Sequence, residues 1–117
     1  AGRALFGSDV SAKTDIRGLK PGAALEAVKA IDSGQSWKYK PDSDAADGGQ
    51  THVGPMAQDV NRVLGDEVAP GGRRIDLVSL NGLNMAATKE LAEKVDDLSN
   101  TVSTLFRGGL KQGGAHA

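Results

Sequence analysis

The chain has no cysteine, so neither a disulfide framework nor a thiolate metal site is available to it, and its redox compartment is undetermined. Aromatics are scarce: one Trp, one Tyr and two Phe, or 3% of 117 residues. No apolar run approaches the ~20 residues that a membrane span needs, and no signal peptide opens the chain. Neither charge sign is in excess. The formal net charge is −1, so a nucleic-acid partner has little electrostatic support. A single domain fits this length. With 38% hydrophobic residues and 16 glycines it has a thin core. Small chains bury a small fraction of their surface, so association with other copies is the expected source of further burial.

Ala1 to Gly7 holds an apolar pair, Leu5-Phe6. The chain starts without methionine, as a segment of a longer protein would, and 1–7 reads as a disordered end or the close of a preceding domain. Ser8 or Asp9 is placed to cap a helical turn. After Pro21-Gly22, the residues Ala24, Leu25, Val28 and Ile31 recur at helical spacing. This predicts a helix from Ala23 to Ile31, supported by Glu26 and Lys29 on its polar side and closed near Gly34. Trp37 and Tyr39 alternate with Lys38 and Lys40, a short strand with one aromatic face. Two aromatics on one face would supply much of a small core. The alternative, a single-stranded nucleic-acid platform built on them and Arg73-Arg74, meets the balanced charge.

The breaker-rich stretch from Asp42 to Gln50 predicts a turn pairing that strand with Thr51-His52-Val53. Asp42, Asp44 and Asp47 lack the glycine and bidentate glutamate of a calcium loop, and His52 reads as a strand residue without companion ligands. Gly54-Pro55 then opens a helix, with Met56, Val60, Val63 and Leu64 on one face and Asp59 in the first turn. Gly65 is expected to end it. Pro70-Gly71-Gly72 marks a turn, Arg73-Arg74 a solvated flank, and Ile75-Asp76-Leu77-Val78 a strand-like run.

The longest periodic segment is 79–106. Leu91, Val95, Leu98, Val102 and Leu105 are spaced 4, 3, 4 and 3, the seam of a coiled coil, flanked by Glu90/Lys94 and Glu93/Asp97. Valine at a and leucine at d leave dimer and trimer both open. Gly108-Gly109 is expected to end the helix, with 108–117 a flexible tail. The fold class expected is α+β: a small body of helices and a short hairpin, with a long C-terminal helix joining copies in a coiled coil.

Three blocks carry a resemblance. Gly54-Pro55-Met56-Ala57-Gln58-Asp59-Val60 resembles the Gly-x-x-Ala-Gln-(Asp/Glu)-Val signature of auto-cleaving intramolecular chaperone domains, found at the C-termini of phage endosialidases, tail spikes and tail fibres. Upstream stands Ser8-Asp9-Val10-Ser11-Ala12-Lys13, with Ile16 and Leu19 following. Downstream Ile75 to Leu83 runs into Ala86 to Leu91. The resemblance marks Gly54, Ala57, Gln58 and Asp59 as family motif residues and spans roughly Ser8 to Leu105. It implies a homotrimer and, over 8–107, a chaperone domain that assists an upstream β-helical client. It also implies a location in the host cytoplasm during virion assembly, release from the mature fibre, and no cofactor or metal.

It also assigns chemistry. Spacing alone gives Ser8 and Lys13 no special meaning. In the family the motif Ser-Asp-x-x-x-Lys is a self-cleaving dyad, which makes Ser8 the nucleophile, Lys13 its base and Asp9 a supporting residue. A serine hydroxyl needs such a base, and a lysine serves once its environment leaves it neutral. Asp9 therefore has to point away from Lys13, toward other donors. The broken bond would be Gly7–Ser8. Where members carry arginine and leucine, this chain has Ser11 and Ala12. A plain trimeric attachment module, without cleavage, is the competing expectation. Related domains also occur in self-cleaving membrane-bound transcription factors, so the client is open.

Overall fold

The computed structural model describes residues 5–116, with side chains from 5 to 108. An extended arm holds one 3-10 turn, Val10–Ala12. Then come α1 (Ala23–Ala30), β1 (Ser36–Lys38), β2 (Thr51–Val53), α2 (Ala57–Leu64), a second 3-10 turn (Pro70–Gly72) and α3 (Leu77–His116). The fold is α+β: small helices, one two-stranded hairpin and a long, exposed C-terminal helix.

The strands pair antiparallel, with Trp37 opposite His52. Helix α2 stops at Gly65, whose φ of 82° suits glycine and whose N–H donates to the Asn61 carbonyl at 2.7 Å. The long loop between the strands is tied at its far end, where Asp47 Oδ2 lies 2.6 Å from His52 Nε2.

The core has two parts. In the first, Ala24 and Leu25 of α1 pack on Ala87 of α3, with Val28, Leu83 and Ala86 around them. In the second, Ile31, Val60 and Ala69 are buried, with Val63, Leu64, Val68 and Ile75 against them. Side chains seal the joints. Helix α1 begins after Gly22 with no cap of its own, and Glu90 of α3 accepts the Leu25 N–H at 3.0 Å. An orphan donor of the first turn and the positive end of the helix dipole are both satisfied this way. At the other end of α1, Arg62 donates to the Ala30 carbonyl at 3.0 Å. Asn61 donates to Asp66 and to the Ala69 carbonyl, fixing the loop after α2.

Four expectations are corrected. The run from Ile75 to Val78 is no strand: Asp76 accepts from the N–H groups of Val78 and Ser79 and from the Ser79 hydroxyl, and so caps α3 from Leu77 on. A local cap outweighs β propensity where no strand lies alongside. Helix α1 ends at Ala30, and Ile31 turns extended to bury its side chain, so Gly34 is no cap. The aromatics are not the main core. Trp37 is half-buried and Tyr39 exposed, while alanines and branched aliphatic side chains fill both clusters. Finally, α3 does not stop at Gly108-Gly109: its backbone is helical to His116. Glycine costs a helix about 1 kcal/mol relative to alanine but does not block it as proline does.

Candidate functional site

The Ser8–Lys13 segment is shaped by one carboxylate. Asp9 precedes the 3-10 turn in extended conformation, and its Oδ1 accepts from both the N–H and the hydroxyl of Ser11, each at 2.9 Å. The turn is closed by N–H donation from Ala12 to the Asp9 carbonyl and from Lys13 to the Val10 carbonyl. Three residues wound this tightly fold Lys13 back over Ser8. Lys13 Nζ donates to Ser8 Oγ at 2.8 Å. Asp9, held by Ser11, points to these donors instead of to the lysine. The two Ser11 hydrogen bonds hold its carboxyl below the usual aspartate range, the backbone one contributing most. Residues 5–21 are all exposed, so nothing among the described residues of a single chain covers this pair.

The second group is the Gly54–Asp59 stretch. Gly54 sits at φ 156°, donates its N–H to the Gln35 carbonyl at 3.0 Å, and accepts from Trp37 Nε1 at 3.1 Å. It thereby fixes the hairpin to the start of α2. Asp59 accepts the Asp32 N–H at 2.8 Å and pairs with Arg62 at 2.6 Å. These bonds, the backbone one foremost, hold its carboxyl low. Arg62 in turn holds α1, so Asp59 and Arg62 clamp the two helices. Ala57 is half-buried and Gln58 exposed. Both line an open groove of about 1080 Å³ between the hairpin and the start of α3, together with Met56, Trp37, Arg74 and Leu77. On the hairpin, Trp37 meets Tyr39 edge-on at 4.9 Å and stacks on His52 at 5.0 Å. His52 is a strand residue, as read, and its partner Asp47 is held low mainly by that hydrogen bond.

The third group is the seam. Leu91, Val95, Leu98, Val102 and Leu105 lie along α3 at 51–70% exposure. No contact with the body covers them.

The sequence matches a family model described as chaperone of endosialidase over residues 8–69, just over half of the chain. The chain belongs to the chaperone-of-endosialidase family. The match starts at Ser8, takes in the Ser8–Lys13 turn and the Gly54–Asp59 stretch, and ends ahead of α3. Membership implies a self-cleaving peptidase lineage and trimerisation, with which the exposed apolar residues of α3 agree. No curated protein matches the chain. Among the described residues, no helix is long and apolar enough to cross a membrane.

Thus the structure joins Ser8 to Lys13 and turns Asp9 aside, sets Gly54, Ala57, Gln58 and Asp59 at the hairpin–α2 junction, and leaves the seam bare. No hydrogen bond links the first two groups. Sequence reasoning missed Arg62 and Asp32. Arg62 stands three residues after Asp59, a helical pair visible in the sequence; Asp32 left no such signal.

Proposed function

We propose that this domain is a C-terminal intramolecular chaperone that trimerises along α3, assists the folding of an upstream β-helical spike or fibre, and then releases itself by cutting Gly7–Ser8. The observation that carries the reading is the 2.8 Å hydrogen bond between Lys13 and Ser8 at the head of the family match. Three chains held together by a locally folded helix keep a client's strands at high effective concentration. That suits intertwined β structure, whose non-local pairing makes it slow to fold. Removing the clamp afterwards leaves a fibre whose persistence depends on its unfolding barrier.

Ser8 Oγ attacks the Gly7 carbonyl carbon while its proton passes to a neutral Lys13 amine along the same 2.8 Å line. The Gly7–Ser8 C–N bond breaks as the Ser8 nitrogen takes up a proton, leaving an ester between Gly7 and the Ser8 oxygen. Water then hydrolyses the ester to a Gly7 carboxylate and restores the hydroxyl. Asp9, engaged with Ser11, does not hold Lys13 in its charged form by direct pairing.

A second reading, a trimeric attachment module that stays joined to its fibre, draws on the exposure of residues 5–21 in one chain. A lysine works as a base when it is taken out of water, and only another chain or client would do that here.

The test uses the chain behind a fused marker protein, as wild type, Ser8→Ala and Lys13→Ala, with intact mass and solution molecular weight followed together. The expected result is a trimer in all three and a fragment beginning at Ser8 in wild type alone. An uncut trimer throughout would select the attachment module. A stable monomer would overturn both.

A further inference from the structure

The chain presents two unsatisfied features that fit each other. One is the arm. Residues 5–21 are exposed throughout, including Val10, Ile16 and Leu19 at 61–71%. Asp15, at φ 52°, turns the backbone just ahead of Ile16. Among the described residues, neither Asp15 nor Arg17 has an ion-pair or hydrogen-bond partner. The other feature is the open groove beside the family motif. Its lining includes the apolar side chains of Met56, Leu77 and Leu80. Arg74 stands on one rim and Asp42 on another part of the lining, and among the described residues both are also without ion-pair partners.

We propose that the groove seats the Asp15–Leu19 segment of a second copy of this chain. Ile16 meets the apolar part of the lining, Asp15 meets Arg74 and Arg17 meets Asp42. This rests on the trimer reading above. Three observations favour a second copy. First, a chain's own body leaves its arm wholly exposed. Second, the groove is lined by Leu77 and Leu80 of α3, the same helix that carries the seam from Leu91 on, and Leu77 is 73% exposed. The copy that packs along the seam is therefore already beside it. Third, the reach suffices. The arm enters α1 at Gly22, and α1 is held to α3 near Glu90. Leu80 is ten residues up α3, or about 15 Å. Neighbouring helix axes lie about 10 Å apart. The six residues from Ile16 to Gly22 span about 20 Å when extended. Seating the arm this way carries Ser8 and Lys13 onto the neighbouring copy, which supplies the cover they lack alone.

The absence of cysteine makes the test clean. Ile16→Cys and Met56→Cys chains are prepared separately, mixed in denaturant, refolded together and treated with a short bifunctional maleimide. Leu105→Cys reports the seam in parallel. The expected result is a covalent dimer pairing the two variants, lost on Arg74→Asp and restored by Asp15→Arg in the other chain. Seam cross-links without the arm–groove dimer would overturn the proposal and leave the trimer standing. A double variant of one chain that links only within itself would overturn it in favour of a self-seated arm. Absence of both products would remove the trimer and the proposal together.

Discussion

The middle of this molecule and its two ends have similar apolar residues and opposite fates. In the body, Leu25, Ile31 and Val60 are 8%, 8% and 0% exposed, because α1 packs on α3 and the end of α1 packs on α2 and the loop that follows it. In the arm and the lower part of α3, Ile16, Leu98 and Leu105 are 64–70% exposed. What separates them is not hydrophobicity but whether a partner surface exists within one chain. The body is a unit that satisfies itself. The ends leave apolar surface uncovered, and on α3 that surface has the spacing of a coiled-coil seam, consistent with oligomerisation.

This contrast can be broken at its strongest point first. Leu98→Glu places a charge in the middle of the seam and is expected to abolish association, seen as a monomer by sedimentation. The body should keep its fold, read from the fluorescence of the single tryptophan, Trp37. Loss of the body along with the oligomer would show that the two regions are not separable. The mirror experiment is Val60→Ala. It removes two methyl groups from a fully buried side chain and should cost about 2 kcal/mol in denaturant unfolding of the body. At concentrations well above the dissociation constant, the molecular weight should not change. Glu90→Ala strikes the joint between the regions, and the loss of the α1 cap should cost about 1 kcal/mol.

The smallest and broadest effect is that of acid. Asp9, Asp47, Asp59 and Asp76 all have carboxyls held below their ordinary value of 3.8, by hydrogen bonds to Ser11, His52, Asp32 and Ser79 respectively. A lowered folded value means that the unfolded chain binds more protons in the intervening range, so stability rises with pH there. The contribution is complete above about pH 4 to 5 and declines as pH falls through the folded values. Thermal melts between pH 7 and pH 2 should show a falling midpoint at the acid end. A midpoint unchanged to pH 2 would mean that these bonds add nothing.

Much of this was legible in the residues, and the gaps have physical causes. Helix α2 was readable because Pro55, the periodic Met56, Val60, Val63 and Leu64, and Gly65 all agree. The hairpin was readable from its breakers. The core was misplaced because half of its buried residues are Ala24, Ala69 and Ala87. Alanine is at home in any setting and carries no positional signal, whereas Trp37 drew attention and is only half-buried. Asp76 was hidden inside a β-prone run because capping depends on where its carboxylate points. The Asp59 clamp draws on Asp32 and Ala30, 27 and 32 positions away from Asp59 and Arg62, a proximity that only the fold creates. For the Ser8–Lys13 pair, spacing meant nothing and the resemblance meant much. The short turn that joins them was foreshadowed only by the capping role given to Asp9.

Helix α3 has one further property. The same uninterrupted rod holds the body through Leu83, Ala87 and Glu90 and offers its seam from Leu91 onward. It therefore works as a shaft that sets the angular phase of each body about a common axis. One residue inserted between Glu90 and Leu91 would swing the body by about 100° and advance it about 1.5 Å, while seven would return it to within about 20° of its starting angle. The orientation of the body about the seam is thus encoded as a count of residues in one helix.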